Sequence, residues 1–247
     1  MPIVFLSPST QDWNPYVTGS GSEEYWMNRI VDAMEPYLRS NGIRYRRNDP
    51  DTSAGVAIRE ANSGYYDFYL ALHSNAIGNG SAQTSARGII AFYYPGSAGG
   101  QRGAELIAKN LREIYPLPDK VTTRPTTALG EVSRSRFPAV LVEIGYHDNY
   151  SDALWLESHV EDVARQLVKA LTEYFGLPFI PHMDPKRGTV RLSYGTLNLR
   201  STPSPAGTVI ANLPNGAEVT VYGEWNGWYV VQYGDQVGYA AAAYIDV

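Results

Sequence analysis

Ala139-Val140-Leu141-Val142-Glu143-Ile144-Gly145-Tyr146-His147-Asp148-Asn149 is an apolar, strand-like run that holds one carboxylate and is followed by an imidazole. An ionised Glu among Val, Leu and Ile costs roughly several kcal/mol unless a cation, hydrogen-bond donors or a raised pKa compensates. Glu143 therefore marks a satisfied ion pair or a site. A second run, Phe68-Tyr69-Leu70-Ala71-Leu72, ends in His73 and continues Ser74-Asn75-Ala76. Open α/β sheets collect their ligands at the carboxyl ends of strands, so the two runs point to one shared site.

Working outward, residues 1–180 alternate extended runs at 2–6, 67–72, 88–94 and 139–145 with helical periodicity. Met27, Ile30, Val31, Met34 and Leu38 repeat at three and four; so do Ala104, Ile107, Ala108 and Leu111, and then Leu156, Val160, Val163, Leu167 and Leu171. This alternation predicts an α/β fold, a mixed, mostly parallel sheet flanked by helices. Pro178, Pro181 and Pro185 cannot continue a helix and read as a stiff linker over 178–186. Beyond it lie short strands at 188–194, 197–200, 209–213, 218–224, 228–233 and 237–240, with Pro214-Asn215-Gly216 and Asn226-Gly227 among the turns. That spacing predicts a small all-β barrel, giving domains at 1–177 and 187–247.

Composition removes several classes of function. Of 247 residues 44% are hydrophobic, but no run approaches the roughly 18 apolar residues that cross a bilayer, so membrane insertion is not expected. The net charge of −5, without long like-charge runs, points away from nucleic acid as a partner. The absence of cysteine excludes disulfides, thiolate nucleophiles and Cys-ligated zinc. Any metal must then rest on His, Asp, Glu or other oxygen ligands. No Gly-x-Ser-x-Gly elbow supports a serine hydrolase. Gly19-Ser20-Gly21-Ser22 lacks the Lys of a phosphate-binding loop and reads as a lead into a helix with Ser22 as its cap. Met1-Pro2-Ile3-Val4-Phe5-Leu6 reads as a strand, with no basic segment or long apolar stretch of a secretion signal before it.

The C-terminal elements Leu197-Asn198-Leu199-Arg200-Ser201-Thr202-Pro203-Ser204, Leu213-Pro214-Asn215-Gly216, Trp225-Asn226-Gly227-Trp228-Tyr229-Val230-Val231, Gly238-Tyr239 and Tyr244 resemble a bacterial SH3 domain. The resemblance implies binding to cell-wall peptidoglycan. Trp225, Trp228 and Tyr233 are either core aromatics or part of a ligand groove.

In the N-terminal part, Glu24 with Asn28, Glu60-Ala61-Asn62, Leu72-His73-Ser74-Asn75-Ala76, and Arg136-Phe137-Pro138 running through Glu143 to Tyr146 and Asn149 resemble the zinc-dependent N-acetylmuramoyl-L-alanine amidases of the amidase 3 type. In that family a His, a Glu and a second His hold Zn2+, and a Glu in the last motif is catalytic. By motif, Glu24 and His73 match metal ligands and Glu143 the catalytic carboxylate. Glu23 shares the same first turn, where an acid also favours the helix dipole; the spacing to Asn28 selects Glu24.

The family's first ligand, a His in the loop after the first strand, has no counterpart in Leu6-Ser7-Pro8-Ser9-Thr10-Gln11. His159 falls in a helical pattern and His182 in the linker, which leaves His147 as the expected replacement, with Gln11 and Asp148 as alternatives. The resemblance implies a peptidoglycan hydrolase that cleaves the bond between N-acetylmuramic acid and L-alanine, with Glu143 moving the proton. Two other readings are a metal-free glycosidase using Glu24 and Glu143 as its carboxylate pair, and a wall-binding protein without activity. The chain is expected to act on the wall as a monomer, either as a secreted mature form such as an autolysin or as an endolysin released by lysis.

Overall fold

The computed structural model describes residues 1–77 and 83–247. Two compact units make up the chain: Ile3–Met34 with Tyr45–Tyr174, and Met1–Pro2 with Glu35–Arg44 and Phe175–Val247.

The larger unit is built on strands β1 (Ile3–Pro8), β2 (Arg44–Arg47), β3 (Phe68–Asn75), β4 (Ile89–Tyr93), β5 (Val121–Pro125) and β6 (Ala139–Tyr146) in the order β2-β1-β3-β6-β4-β5. β1 with β3, β3 with β6, and β4 with β5 pair in parallel, while β4 runs antiparallel to β6. Helices α1 (Glu23–Ser40), α2 (Ala54–Ser63), α3 (Ala98–Arg112), α4 (Gly130–Ser133), α5 (Tyr150–Ser158) and α6 (Val160–Phe175) separate the strands. The class is the one the alternation predicts. β3 is buried along almost its whole length, as a central parallel strand covered on both faces must be. The expected apolar stripes face the core: Met27, Ile30, Val31, Met34 and Leu38 of α1, Ala104, Ile107, Ala108 and Leu111 of α3, and Val163, Leu167 and Leu171 of α6 are all buried. One stripe is less continuous than its spacing predicts. The run from Leu156 to Leu171 breaks at His159, which follows α5 and binds the Trp155 carbonyl through Nδ1 at 2.7 Å.

The register of the central pair places the chemistry. Leu72 lies beside Val142 and His73 beside Glu143 across β3 and β6, so both polar side chains project from the same face at the strands' carboxyl ends. An irregularity follows between His73 and Asn75. Gly145 there takes φ of 73°, a left-handed conformation that glycine adopts without strain.

In the smaller unit, β7 (Lys186–Val190), β8 (Thr196–Arg200), β9 (Val209–Pro214), β10 (Glu218–Trp225), β11 (Trp228–Tyr233), β12 (Gln236–Ala241) and β13 (Ile245–Asp246) form one antiparallel sheet, ordered β13-β7-β10-β11-β12-β8-β9. Every strand contributes to a single core, from Val190 and Leu199 to Val231 and Ile245.

The stretch expected to be a linker is tied into this unit. Ile180 is buried; its N–H donates to Asn41 Oδ1 at 2.6 Å and its carbonyl accepts from Asn41 Nδ2 at 2.9 Å. The same Nδ2 donates to the Tyr37 carbonyl, and Tyr239 Oη donates to the Asn41 carbonyl. Gly223 lets the Ser40 carbonyl approach, because a Cβ there would stand 2.6 Å from that oxygen. Truncating the Asn41 carboxamide leaves buried groups of Ile180 without partners, each worth about 1–3 kcal/mol. Asn41→Ala is therefore expected to lower stability by at least about 2 kcal/mol, read as a lower urea midpoint with Trp225 and Trp228 as fluorescent reporters.

Candidate active site

His73 lies near the carboxyl end of β3 as a buried residue with a carboxylate on each ring nitrogen. Nδ1 lies 2.8 Å from Glu23 Oε1, and Nε2 lies 2.8 Å from Glu131 Oε2. Glu23 is the first residue of α1. Ser22 caps that helix by accepting from the Tyr25 N–H at 3.1 Å, as its position in the sequence implied. The Glu23 N–H donates to the Asn14 carbonyl at 2.9 Å, and Glu23 Oε2 accepts from Asn14 Nδ2 at 2.8 Å. Residues 11–14 are thus fastened to the helix head by main chain and side chain together.

Glu131 comes from the single turn of α4 and is also buried. Its Oε1 accepts from Ser7 Oγ at 2.6 Å, at the end of β1, and from Tyr69 Oη at 2.8 Å, on β3. Burial by itself opposes charge on all three groups. The hydrogen bonds and charges they exchange override it, holding His73 well above the usual imidazole range and both carboxyls below theirs.

Glu143 is the contrasting carboxyl. Burial pushes it up to about 7, with the positive charge of His73 opposing part of that rise. Its Oε2 is buried and has no hydrogen-bond partner among the described residues. A cavity of about 250 Å³, lined by Gln11, Ile58, His73, Glu131, Leu141 and Glu143 among others, opens on this group. A carboxyl with a pKa near neutrality on a pocket wall can both accept and return a proton.

The residues expected from sequence distribute unevenly. His73 and Glu143 are brought together; Glu24 and His147 are not part of the network. Glu24 Oε1 accepts from Asn28 Nδ2 at 3.0 Å, and Arg47 Nη2 donates to the Asn28 carbonyl oxygen Oδ1 at 2.6 Å. The Asn28 spacing that favoured Glu24 is a pairing along the helix surface, and the neighbouring Glu23, roughly 100° around the helix, faces the site. His147 is buried with Nδ1 against the Ser74 carbonyl at 2.9 Å and Ser74 Oγ at 3.1 Å, and its ring stacks on Tyr16 at 5.7 Å. Asp148 Oδ2 accepts from the Ile77 N–H at 2.8 Å.

The expected ligand set of Glu24, His73 and His147 is accordingly not assembled, and the described residues contain no group of three or more His, Asp or Glu placed to hold a metal ion. Glu131 and Asn14 were missed altogether. The only trace of Glu131 in the sequence is an acid between Leu129 and Val132, which a surface turn produces equally well.

The comparisons with known proteins agree with this architecture. The family model described as N-acetylmuramoyl-L-alanine amidase matches residues 10–173, and that of the bacterial SH3 domain matches residues 195–246. This chain belongs to the amidase 3 family and carries a bacterial SH3 domain after it. It is 28% identical over 170 residues to N-acetylmuramoyl-L-alanine amidase LytC of Bacillus subtilis (strain 168), covering 67% of this chain and 34% of LytC. The chain therefore spans about a third of the length of that curated relative.

Among solved structures, N-acetylmuramoyl-L-alanine amidase AmiC2 of Nostoc punctiforme superposes with a TM-score of 0.62 at 16% identity, over 71% of this chain and 97% of that one. The catalytic domain of the CwlV amidase from Bacillus (Paenibacillus) polymyxa var. colistinus gives 0.61 at 17% identity, over 71% and 99%. The catalytic domain of the CD27L endolysin targeting Clostridia difficile gives 0.54 at 19% identity, over 70% and 98%.

The raised carboxyl has a measurable cost. A group whose folded pKa lies above its unfolded value contributes its full stability at low pH and loses it as pH rises through that window. For Glu143 the window runs from the ordinary carboxyl value up to about 7. In chelator-treated protein, Glu143→Gln is expected to gain on wild type as pH is raised from about 5 to about 8, by up to about 3 kcal/mol. Parallel melting curves of the two proteins across that range measure the gain.

Proposed function

We propose that this chain is a peptidoglycan hydrolase that cleaves the amide bond between N-acetylmuramic acid and L-alanine. The observation that carries the reading is Glu143: a buried carboxyl with an unpartnered oxygen, beside His73 on the same sheet face and on the wall of a pocket, in a chain of the amidase family. Glu143 takes a proton from the attacking water and delivers it to the leaving amine nitrogen as the carbon–nitrogen bond breaks. The Leu141 and Ile58 walls of the pocket limit competing water, which keeps the carboxyl's proton affinity high between the two transfers.

The donor chemistry also suits a zinc ion. Three carboxyls surround one imidazole, so the pocket carries an excess of negative charge that a divalent cation offsets. Glu23 and His73 are neighbouring groups of the types that ligate zinc. When bound there, zinc supplies a Lewis acid for the scissile carbonyl and a water of lowered pKa. Glu131 then accepts from the far side of His73 and fixes which ring nitrogen carries the proton.

The SH3 unit supplies attachment to the wall. Arg191, Tyr194, Asn198, Arg200, Trp228 and Tyr244 border a groove of about 450 Å³, and Tyr194 is 89% exposed. Exposed aromatics with neighbouring amide and guanidinium donors suit the sugar faces and amides of peptidoglycan. Wall binding through such contacts is expected to persist at moderate salt, whereas a steep loss between low and physiological ionic strength would mark an electrostatic mode.

Product chemistry tests the proposal. Purified protein incubated with peptidoglycan should release new L-alanine amino termini and no new reducing sugar ends. Glu143→Gln should reduce that release by about 10²-fold or more while wall binding is kept. New reducing ends would identify a glycosidase, and co-sedimentation with walls without any released amine would identify a binding protein; either result overturns the proposal.

A further inference from the structure

The loop after β1 lacks the histidine that the amidase resemblance leads one to expect, yet it sends a side chain to the metal-competent pair. Gln11 Nε2 stands 3.4 Å from His73 Nδ1 and 3.4 Å from Glu23 Oε1, and the latter two atoms are 2.8 Å apart. Three donors on a tetrahedral zinc with bonds of about 2.0–2.1 Å are separated by about 3.3–3.4 Å. Two edges of this triangle already have that length, and the third is shortened by the hydrogen bond between His73 and Glu23.

The loop that carries the amide is held by the Gln11 N–H, which donates to Ser9 Oγ at 3.2 Å, and in this orientation of the amide Gln11 Oε1 accepts from Asn14 Nδ2 at 3.2 Å. A half-turn about the terminal bond gives up the Asn14 hydrogen bond to Oε1, leaving Asn14 Nδ2 on Glu23 Oε2 at 2.8 Å, and presents the amide oxygen to the triangle.

We infer that Gln11 is the third protein donor of the metal site, through its amide oxygen, in the place of the family's loop histidine. The inference rests on the amidase reading for the presence of the ion and goes beyond it in the ligand. His73 binds through Nδ1, because Nε2 is committed to Glu131. His147 takes no part, because among the described residues it does not stand with His73 and Glu23 in a group placed to hold an ion. A neutral amide oxygen is a harder and weaker donor than imidazole, better matched to ions such as Mn2+ than to Zn2+. The site is therefore less selective for zinc than one with two histidines.

The test is calorimetric titration of the chelator-stripped full chain with zinc chloride and, separately, manganese chloride. Gln11→Ala should weaken zinc binding by about tenfold or more, and Gln11→His should tighten zinc relative to manganese. His147→Ala should leave both affinities unchanged. Glu131→Gln should weaken zinc by about 10–100-fold, the usual effect of losing a carboxylate behind a ligating histidine. Melting curves confirm that each variant is folded, and the half-exposed Gln11 tolerates both replacements.

Unchanged zinc affinity in Gln11→Ala, or a loss in His147→Ala, overturns the inference. Wild type that takes up no zinc yet releases amino termini overturns it too and leaves the amidase reading intact. The expected order of affinities without any hydrolysis does the reverse.

Discussion

A buried imidazole shared between two carboxylates is the constraint on which the larger unit depends. His73 belongs to β3, Glu23 to the head of α1 and Glu131 to the turn of α4, so one ring joins three elements that are far apart in the chain. Each charge is costly to bury alone. Together they are tolerable because every polar atom of the trio has a partner: Asn14 and Gln11 on Glu23, Ser7 and Tyr69 on Glu131. Removing any one member leaves the others as uncompensated charges, which makes the arrangement cooperative and fixes the floor of the pocket.

Glu143 acquires its character from being left out of that arrangement. It sits one strand away from His73, in register with it, and its Oε2 is buried without a partner among the described residues. Two kinds of carboxyl result within one pocket, one kind held ionised by hydrogen bonds and the other held near neutrality by burial. Such a division of environments is what separates a binding role from a proton-transfer role in acid–base chemistry.

The smaller unit shows the same economy with an uncharged group. The Asn41 carboxamide satisfies both main-chain groups of Ile180 and also reaches Tyr37. At Ile180 a proline-rich stretch is thereby given main-chain hydrogen bonds by one side chain. Its prolines still set its path, but the segment is anchored rather than free.

The alternation of apolar runs with helical stripes determined the fold class, because burial of a continuous strand and of one helix face follows from side-chain period alone. The apolar surroundings of Glu143 and the strand-terminal position of His73 likewise made those two residues legible. The two resemblances supplied the expected activity and the wall-binding module from ordered motifs.

The sequence could not distinguish Glu23 from Glu24, since neighbouring acids at a helix head differ only in the direction each faces, and that direction is decided when α1 packs and Asn14 binds the helix start. His147, reasonable by elimination, packs on Tyr16 with Nδ1 on the Ser74 carbonyl, partners no spacing rule reveals. Glu131 lies 58 residues from His73 in the chain, and only the sheet order that brings α4 over the end of β3 makes it a neighbour. Local periodicity thus fixed what each segment becomes, while the tertiary structure chose which polar side chains meet, because those meetings join residues that are distant in the chain and set by packing rather than by pattern.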